Sequence, residues 1–377
     1  RELSYENLVR LGKAYLQLER QTDAQRLWRE ISLSHPQDFS FLMEIAGHQR
    51  EIGDLLGTIN TLQEAYRLQP RDVHLNYLLG VHLAVAQPQS AVPYLTFAQQ
   101  RMPSNAALLD LSKELTNTGE EAVYRTLRVG QILSGLGEWD LAVTCFEMVV
   151  QTVEDNAFAW ALLGEAKQHV DGSGLAELQK ALQVDPNSDS ANALMALYYR
   201  RQNKPELAVP YLQTAVNAAP QEVSWQIELG NTLAETGDLQ SALMTLQGAT
   251  TAAPENPLTW KALAELCFTR NIAITPTGLE AARRALALDP QNPQLMDLMG
   301  MGLMINGDLE TAARFLAEAV AADPANAVIH LHYGQLFLQK KDCTQAASEL
   351  HQASLPTVDE RIRVNAEQLL VNDCPGY

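Results

Sequence analysis

The sequence predicts an all-α chain assembled as a serial array of short helical hairpins. Paired apolar stripes, a period of 34 residues and a supply of small and aliphatic residues predict it. The stripes are clearest from Pro293 to Asn326. Leu295, Met299, Leu303 and Met304 recur at helical spacing, Asn306-Gly307-Asp308 turns the chain, and Ala312, Phe315, Leu316 and Ala319 form a second stripe. Asp323-Pro324 closes the unit, because proline lacks a backbone donor and disfavours helix in the residue before it. Each segment has about three turns, too short to stand alone in water, so the hairpin must lean on neighbours.

The neighbours are copies of it. Gly300 recurs as Gly334, and Asp289-Pro290 as Asp323-Pro324, both after 34 residues. Read outward, the period gives ten copies: 5–38, 39–72, 73–105, 123–156, 157–188, 189–222, 223–256, 257–292, 293–326 and 327–360. The copy from Val223 carries Leu229, Gly230, Leu233, Ala242, Leu246, Ala249 and Pro254. That from Val123 has Gly130, Leu133, Ala142 and Phe146, with Glu154 where Pro is expected. The one from Ala157 has Trp160, Leu163, Gly164, Leu178, Ala181 and Pro186. In these residues the chain resembles the tetratricopeptide repeat family, whose pattern sets large, small and proline residues at such places. The resemblance covers nearly the whole chain. It implies a right-handed α-solenoid of about ten hairpins whose first helices line a concave groove, closed by a C-terminal capping helix.

Taken in order, the first copy starts at once with Leu8, Leu11, Gly12 and Tyr15, and Ala24, Trp28, Ile31 and Pro36 complete it. No capping helix precedes it, so Arg1 reads as a cut through a longer protein, or as an open end for self-association. Copy two carries Leu42, Ile45, Ala46, Leu62, Ala65 and Pro70; copy three carries Leu79, Gly80, Ala91, Leu95, Ala98 and Pro103. Residues 106–122 break the rhythm. They read as one inserted helix or decayed half-repeat with a Leu108, Leu111, Leu115 stripe and a polar turn from Asn117 to Glu120. The array is thus divided as 1–105, 106–122 and 123–360, with 361–377 as capping helix and tail. Copy five is short around Asp171-Gly172-Ser173-Gly174, and copy eight is long around Ile272 to Gly278, where Pro276 delays the second helix. Copy ten keeps Tyr333, Gly334, Phe337, Ala346, Leu350 and Ala353 before Pro356. From Glu360 to Asn372, Ile362, Ala366, Leu369 and Leu370 make one apolar face, as a cap requires.

Composition narrows the function. The 377 residues are 46% hydrophobic and 6% aromatic, with 27 basic and 45 acidic side chains and a net charge of −18. That balance argues against a nucleic-acid backbone as partner, because such affinity comes from Lys and Arg neutralising phosphates. No apolar run is long enough to insert in a membrane. Cys145 and Cys267 fall inside helices as small hydrophobes, while Cys343 and Cys374 pair only if the tail folds back. The compartment stays open: the cytoplasm first, with periplasm or secretion as alternatives because the start reads as trimmed.

No pattern of an active site, metal site or phosphate loop is found, and no cofactor is expected. His330 and His332 stand two apart on a helix and point different ways; His330 reads as packing. Projected on the family's geometry, the groove is lined by the second, fifth, sixth, ninth, twelfth and thirteenth places of each copy. Apolar candidates there are Tyr77, Leu78, Val81, Ala84 and Val85; Ala193, Leu194 and Leu197 beside Arg200 and Arg201; and Leu298, Met301, Met304, Ile305, Val328, Leu331 and Leu338. They either meet a partner or are buried between the array's own turns or under the C-terminal helix. A clamp for the carboxylate of a chaperone tail, which some family members have, is disfavoured: Lys261 is followed by Glu265, and Asn231 is preceded by Ile227. The expected role is a non-enzymatic scaffold holding a protein or peptide segment. The alternatives are a regulatory or targeting arm of a larger enzyme, secretion or transport protein, and a self-assembling scaffold.

Overall fold

A computed structural model of the chain describes residues 5–34, 38–117 and 121–374, which form helices joined by short turns, with no strand among them. Arg1, Pro36, residues 118–120 of the expected polar turn and residues 375–377 of the tail lie outside the described residues. The chain divides into two compact units, Arg1–Tyr198 and Tyr199–Tyr377. Among the described residues no helix is long and apolar enough to cross a membrane.

The first unit pairs α1 (Tyr5–Gln17) with α2 (Gln21–Ser34), α3 (Phe39–Glu51) with α4 (Leu55–Leu68), and α5 (Val73–Ala86) with α6 (Pro88–Gln99). A single helix, α7 (Ala106–Thr116), follows. Then come α8 (Ala122–Gly135) with α9 (Trp139–Thr152), α10 (Ala157–Val170) with α11 (Leu175–Val184), and most of α12 (Asp189–Arg201). The hairpins start where a short polar side chain satisfies the free backbone donors of a helix N-terminus. Asp38, Asp54, Asp72, Asn105 and Asn156 each accept from a backbone N–H two or three residues into the helix. Asp54 also takes Nε and Nη2 of Arg29 from α2 at 2.9 and 2.5 Å, tying successive hairpins together.

Within a hairpin the two helices meet through a glycine. A Cβ on Gly80 would lie 2.7 Å from Leu95, one on Gly130 2.6 Å from Phe146, and one on Gly164 2.7 Å from Leu178. The short copy five closes through Gly174, which starts α11 at φ 103 and sits against the Gly164 carbonyl.

The single helix α7 buries Leu108, Leu111 and Leu115 completely, the stripe expected for it. After it, α8 and α9 pack on α5 as well as on their neighbours in sequence. The contact is fixed by Glu138 at the start of α9, which accepts from Tyr77 Oη of α5 at 2.8 Å and Arg50 Nη2 of α3 at 2.9 Å. Burial first, and then this carboxylate, raise the pKa of the Tyr77 hydroxyl above the usual phenol range, so it remains a donor.

The second unit begins in the last residues of α12. It continues with α13 (Pro205–Ala218), α14 (Val223–Thr236) with α15 (Leu239–Ala252), and α16 (Pro257–Thr269) with α17 (Leu279–Leu288). Next are α18 (Pro293–Ile305) with α19 (Leu309–Ala322), α20 (Ala327–Gln339) with α21 (Cys343–Ala353), and the closing α22 (Glu360–Asp373). The extra residues of copy eight form a wide π-type turn, Ile274–Gly278, so Pro276 precedes α17 rather than opening it. The inner face of α22 packs on α20 and α21, with Ala366 and Leu370 buried. Cys343 and Cys374 are joined by a disulfide, so Cys374 at the end of α22 does come back to the start of α21. Cys145 and Cys267 are free and buried, and burial pushes their thiols up to about 12 and about 11.

Candidate functional site

The second unit contains a cavity of about 570 Å³ lined by first helices of successive hairpins. Its walls follow the register expected for the groove. Asn231, Ala234 and Glu235 come from α14, Lys261, Glu265 and Thr269 from α16, Gln294, Asp297, Leu298 and Met301 from α18, and Val328 and His332 from α20. Arg200, from the end of α12, completes one side.

The charges in this cavity are mostly paired. Arg200 donates from Nε and Nη2 to Glu235 at 3.1 and 2.6 Å and from Nη1 to Glu228. These carboxylates, the hydrogen bond to Glu235 first, raise the Arg200 guanidinium further above its ordinary range. Lys261 lies 3.2 Å from Glu265, one turn on. His332 donates from Nδ1 to the Asp297 carboxylate, 2.9 Å from both oxygens. Asp297 is buried, and this bond satisfies it. The cavity therefore offers balanced charge with an apolar floor of Leu298, Met301 and Val328. No three His, Cys, Asp or Glu side chains gather as a metal site requires among the described residues.

The expected groove residues scatter across different environments. Arg200, Leu298, Met301 and Val328 share the cavity. Val328 is exposed and Met301 half-buried, but Leu298 is 3% exposed and belongs largely to the core. Met304 is buried in the same core, and Ile305 is exposed at the end of α18. Leu331 is buried and Leu338 half-buried in the cluster covered by α22.

In the first unit, Leu78, Val81, Ala84 and Val85 are buried and Tyr77 is half-buried, because α8 and α9 pack across α5. Of the two readings of these residues, it is burial by the chain itself that Leu78, Val81, Ala84 and Val85 show. His82 on the same helix is buried as well. Burial holds its imidazole down to about 4, and it bonds the Leu78 carbonyl at 2.7 Å. Ala193 is buried, and Leu194 and Leu197 on α12 are half-buried. Arg201, the last residue of α12, is exposed.

The Asp297–His332 pair and Glu235 belong to the cavity without being apolar groove residues. His330 and His332 do point apart, but each meets an acid on another helix. His330 is buried against Glu349 of α21 at 2.6 Å and the Pro324 carbonyl at 3.0 Å, as packing. The available signal was positional: Asp297 holds the fifth place of its copy and His332 the sixth place of the next.

Two family models, both described as tetratricopeptide repeat, match residues 193–257 and 303–366. No curated protein matches the chain. Among solved structures, a chain of the APC/C hetero-tetramer Cut9-Hcn1 is similar at 14% identity and TM-score 0.50, over 95% of this chain and 75% of that one. PilW, a type IV pilus biogenesis factor, is similar at 16% identity and TM-score 0.50, over 58% of this chain and all of its own. PilF of Pseudomonas aeruginosa aligns at 20% identity and TM-score 0.45, over 58% and 98%. Residues 193–257 and 303–366 are thus tetratricopeptide repeats, and glycine-closed hairpins of the same kind recur outside them.

Proposed function

We propose that the chain is a non-enzymatic scaffold and that its second unit holds a segment of a partner protein. The supporting observation is the cavity of about 570 Å³ lined from four consecutive first helices, with half-buried Met301 and exposed Val328 on its floor. Apolar side chains left accessible in a concave, polar-rimmed surface mark interaction sites more often than chance exposure does. Methionine adapts to the shape of what it meets. The paired charges around it suit an amphipathic segment, helical or extended, that brings its own polar groups to the rim. A polyanion would meet the acid excess of the whole chain and be repelled.

A displayed library of helical and extended peptides tests the reading. Met301→Glu with Val328→Glu places two charges on the floor without emptying the core. It is expected to weaken selected peptides at least tenfold, whereas Met244→Glu, at a position 64% exposed on α15, leaves them bound. Equal binding by both variants moves the site out of the cavity. Leu298→Glu is unsuitable, because a charge at a position 3% exposed is expected to destabilise the unit itself.

A further inference from the structure

We propose that the Cys343–Cys374 disulfide is a redox clasp that decides whether α22 covers the apolar face of the last hairpin. The bond joins the first residue of α21 to the residue that closes α22. The non-covalent hold is small. Ala366 and Leu370 are buried, Ile362 and Leu369 only partly, and Arg363 spends its charge within α22 on Glu367 and Glu360. Two buried side chains, one an alanine, are a weak hold for a helix of 14 residues that is marginal in water. The backbone tethers α22 at its start, and the disulfide tethers its far end. With both ends held, docking is nearly free of search; with one end held, the helix must find its place.

The two sulfurs differ in access. Cys374 is 2% exposed, whereas Cys343 is half-buried and lines a cavity of about 540 Å³ together with Leu338, Leu369 and Lys341. A small thiolate entering this cavity reaches Cys343 Sγ; Lys341 and Asp373 on the same wall offset one another, so access and not charge selects this sulfur. Its sulfur bonds Cys343 Sγ while the Sγ–Sγ bond breaks, and Cys374 leaves as a thiolate that takes a proton. A second thiol attacks the mixed disulfide and releases Cys343. Two electrons and two protons pass from the dithiol reductant, which is left as its disulfide. With α22 freed, the apolar cluster that it shares with Leu331, Leu338 and Ala347 opens to solvent. The clasp is closed in an oxidising compartment and open in a thiol-rich one. None of this depends on whether the larger cavity holds a partner.

The test uses the full chain with dithiothreitol as reductant. Mass spectrometry after alkylation counts the thiols at 343 and 374, and hydrogen exchange reads each helix. The expected result is a closed bond without reductant. On reduction, exchange in α22 speeds up at least tenfold, α14 to α19 stay unchanged, and binding of an apolar dye rises. Cys343→Ser with Cys374→Ser is expected to behave as the reduced chain in both conditions. Free thiols at both positions in air overturn the proposal. So does unchanged protection of α22 once both thiols are alkylated, which would leave the bond a passive staple.

Discussion

Gly300 shows how much of the fold rests on single atoms. A Cβ there would lie 2.6 Å from Leu316 Cγ and 3.4 Å from the Ala312 carbonyl, inside the contact that joins α18 to α19. The same arrangement recurs at Gly334 against Leu350 and Gly230 against Leu246. Gly300→Leu must therefore push the helices apart, and overpacking of this kind costs about 1–3 kcal/mol or more. In a unit of this size that lowers Tm by several degrees. Scanning calorimetry or circular dichroism reads it directly, and an unchanged Tm would show that this glycine does not set the helix separation. Single residues also explain part of the acid excess. Asp38, Asp54, Asp72, Asp238, Asp308 and Asp342 each cap a helix, so they are spent on backbone donors rather than on a partner.

At the scale of elements, the helices were legible because their signals are local: stripes at helical spacing, polar starts, glycines at turns. The places that line the groove were legible too, since register on a helix decides which way a side chain points. Which of those places stay open was not legible. Leu78, Val81 and Val85 look like groove residues in sequence, yet α8 and α9 cover them, a contact created by chain some fifty residues later. Leu331 and Leu338 are likewise covered by α22. Such burial depends on how distant helices meet, which no local pattern records. The Asp297–His332 pair was hidden for the same reason, because its partners stand on different helices. The single helix of the first unit, α7, offers a direct test of how far one element's packing reaches. Leu111 is fully buried, and Leu111→Ala is expected to cost about 2–5 kcal/mol. Hydrogen exchange should then show α5, α6 and α8 losing protection with α14 to α19 unaffected. Loss spread evenly over both units would contradict the separation into compact bodies.

For the whole molecule, charge is the dominant global property. With 45 acids against 27 bases the chain repels itself at neutral pH. Its surface ion pairs, such as Arg283–Glu280 and Arg363–Glu367, are exposed and contribute at most about 1 kcal/mol each. Salt screens both effects, and repulsion summed over a net charge of −18 outweighs a few weak pairs. Raising sodium chloride from roughly 20 to 300 mM, from well above to below a Debye length of about 10 Å, should therefore raise Tm by a few degrees. A fall in Tm would mean that the ion pairs hold more of the fold than their exposure suggests.

The unpaired helix α7 has a meaning for how such an array can change over time. Helices added or lost in pairs keep the alternation of inner and outer layers, so whole hairpins are interchangeable parts. One helix alone reverses parity, as a single inserted base reverses a reading frame. In this chain the hairpin that follows α7, α8 with α9, packs on α5 as well as on its neighbours in sequence. A groove can thus be abolished without altering one residue that lines it, by inserting a helix somewhere else.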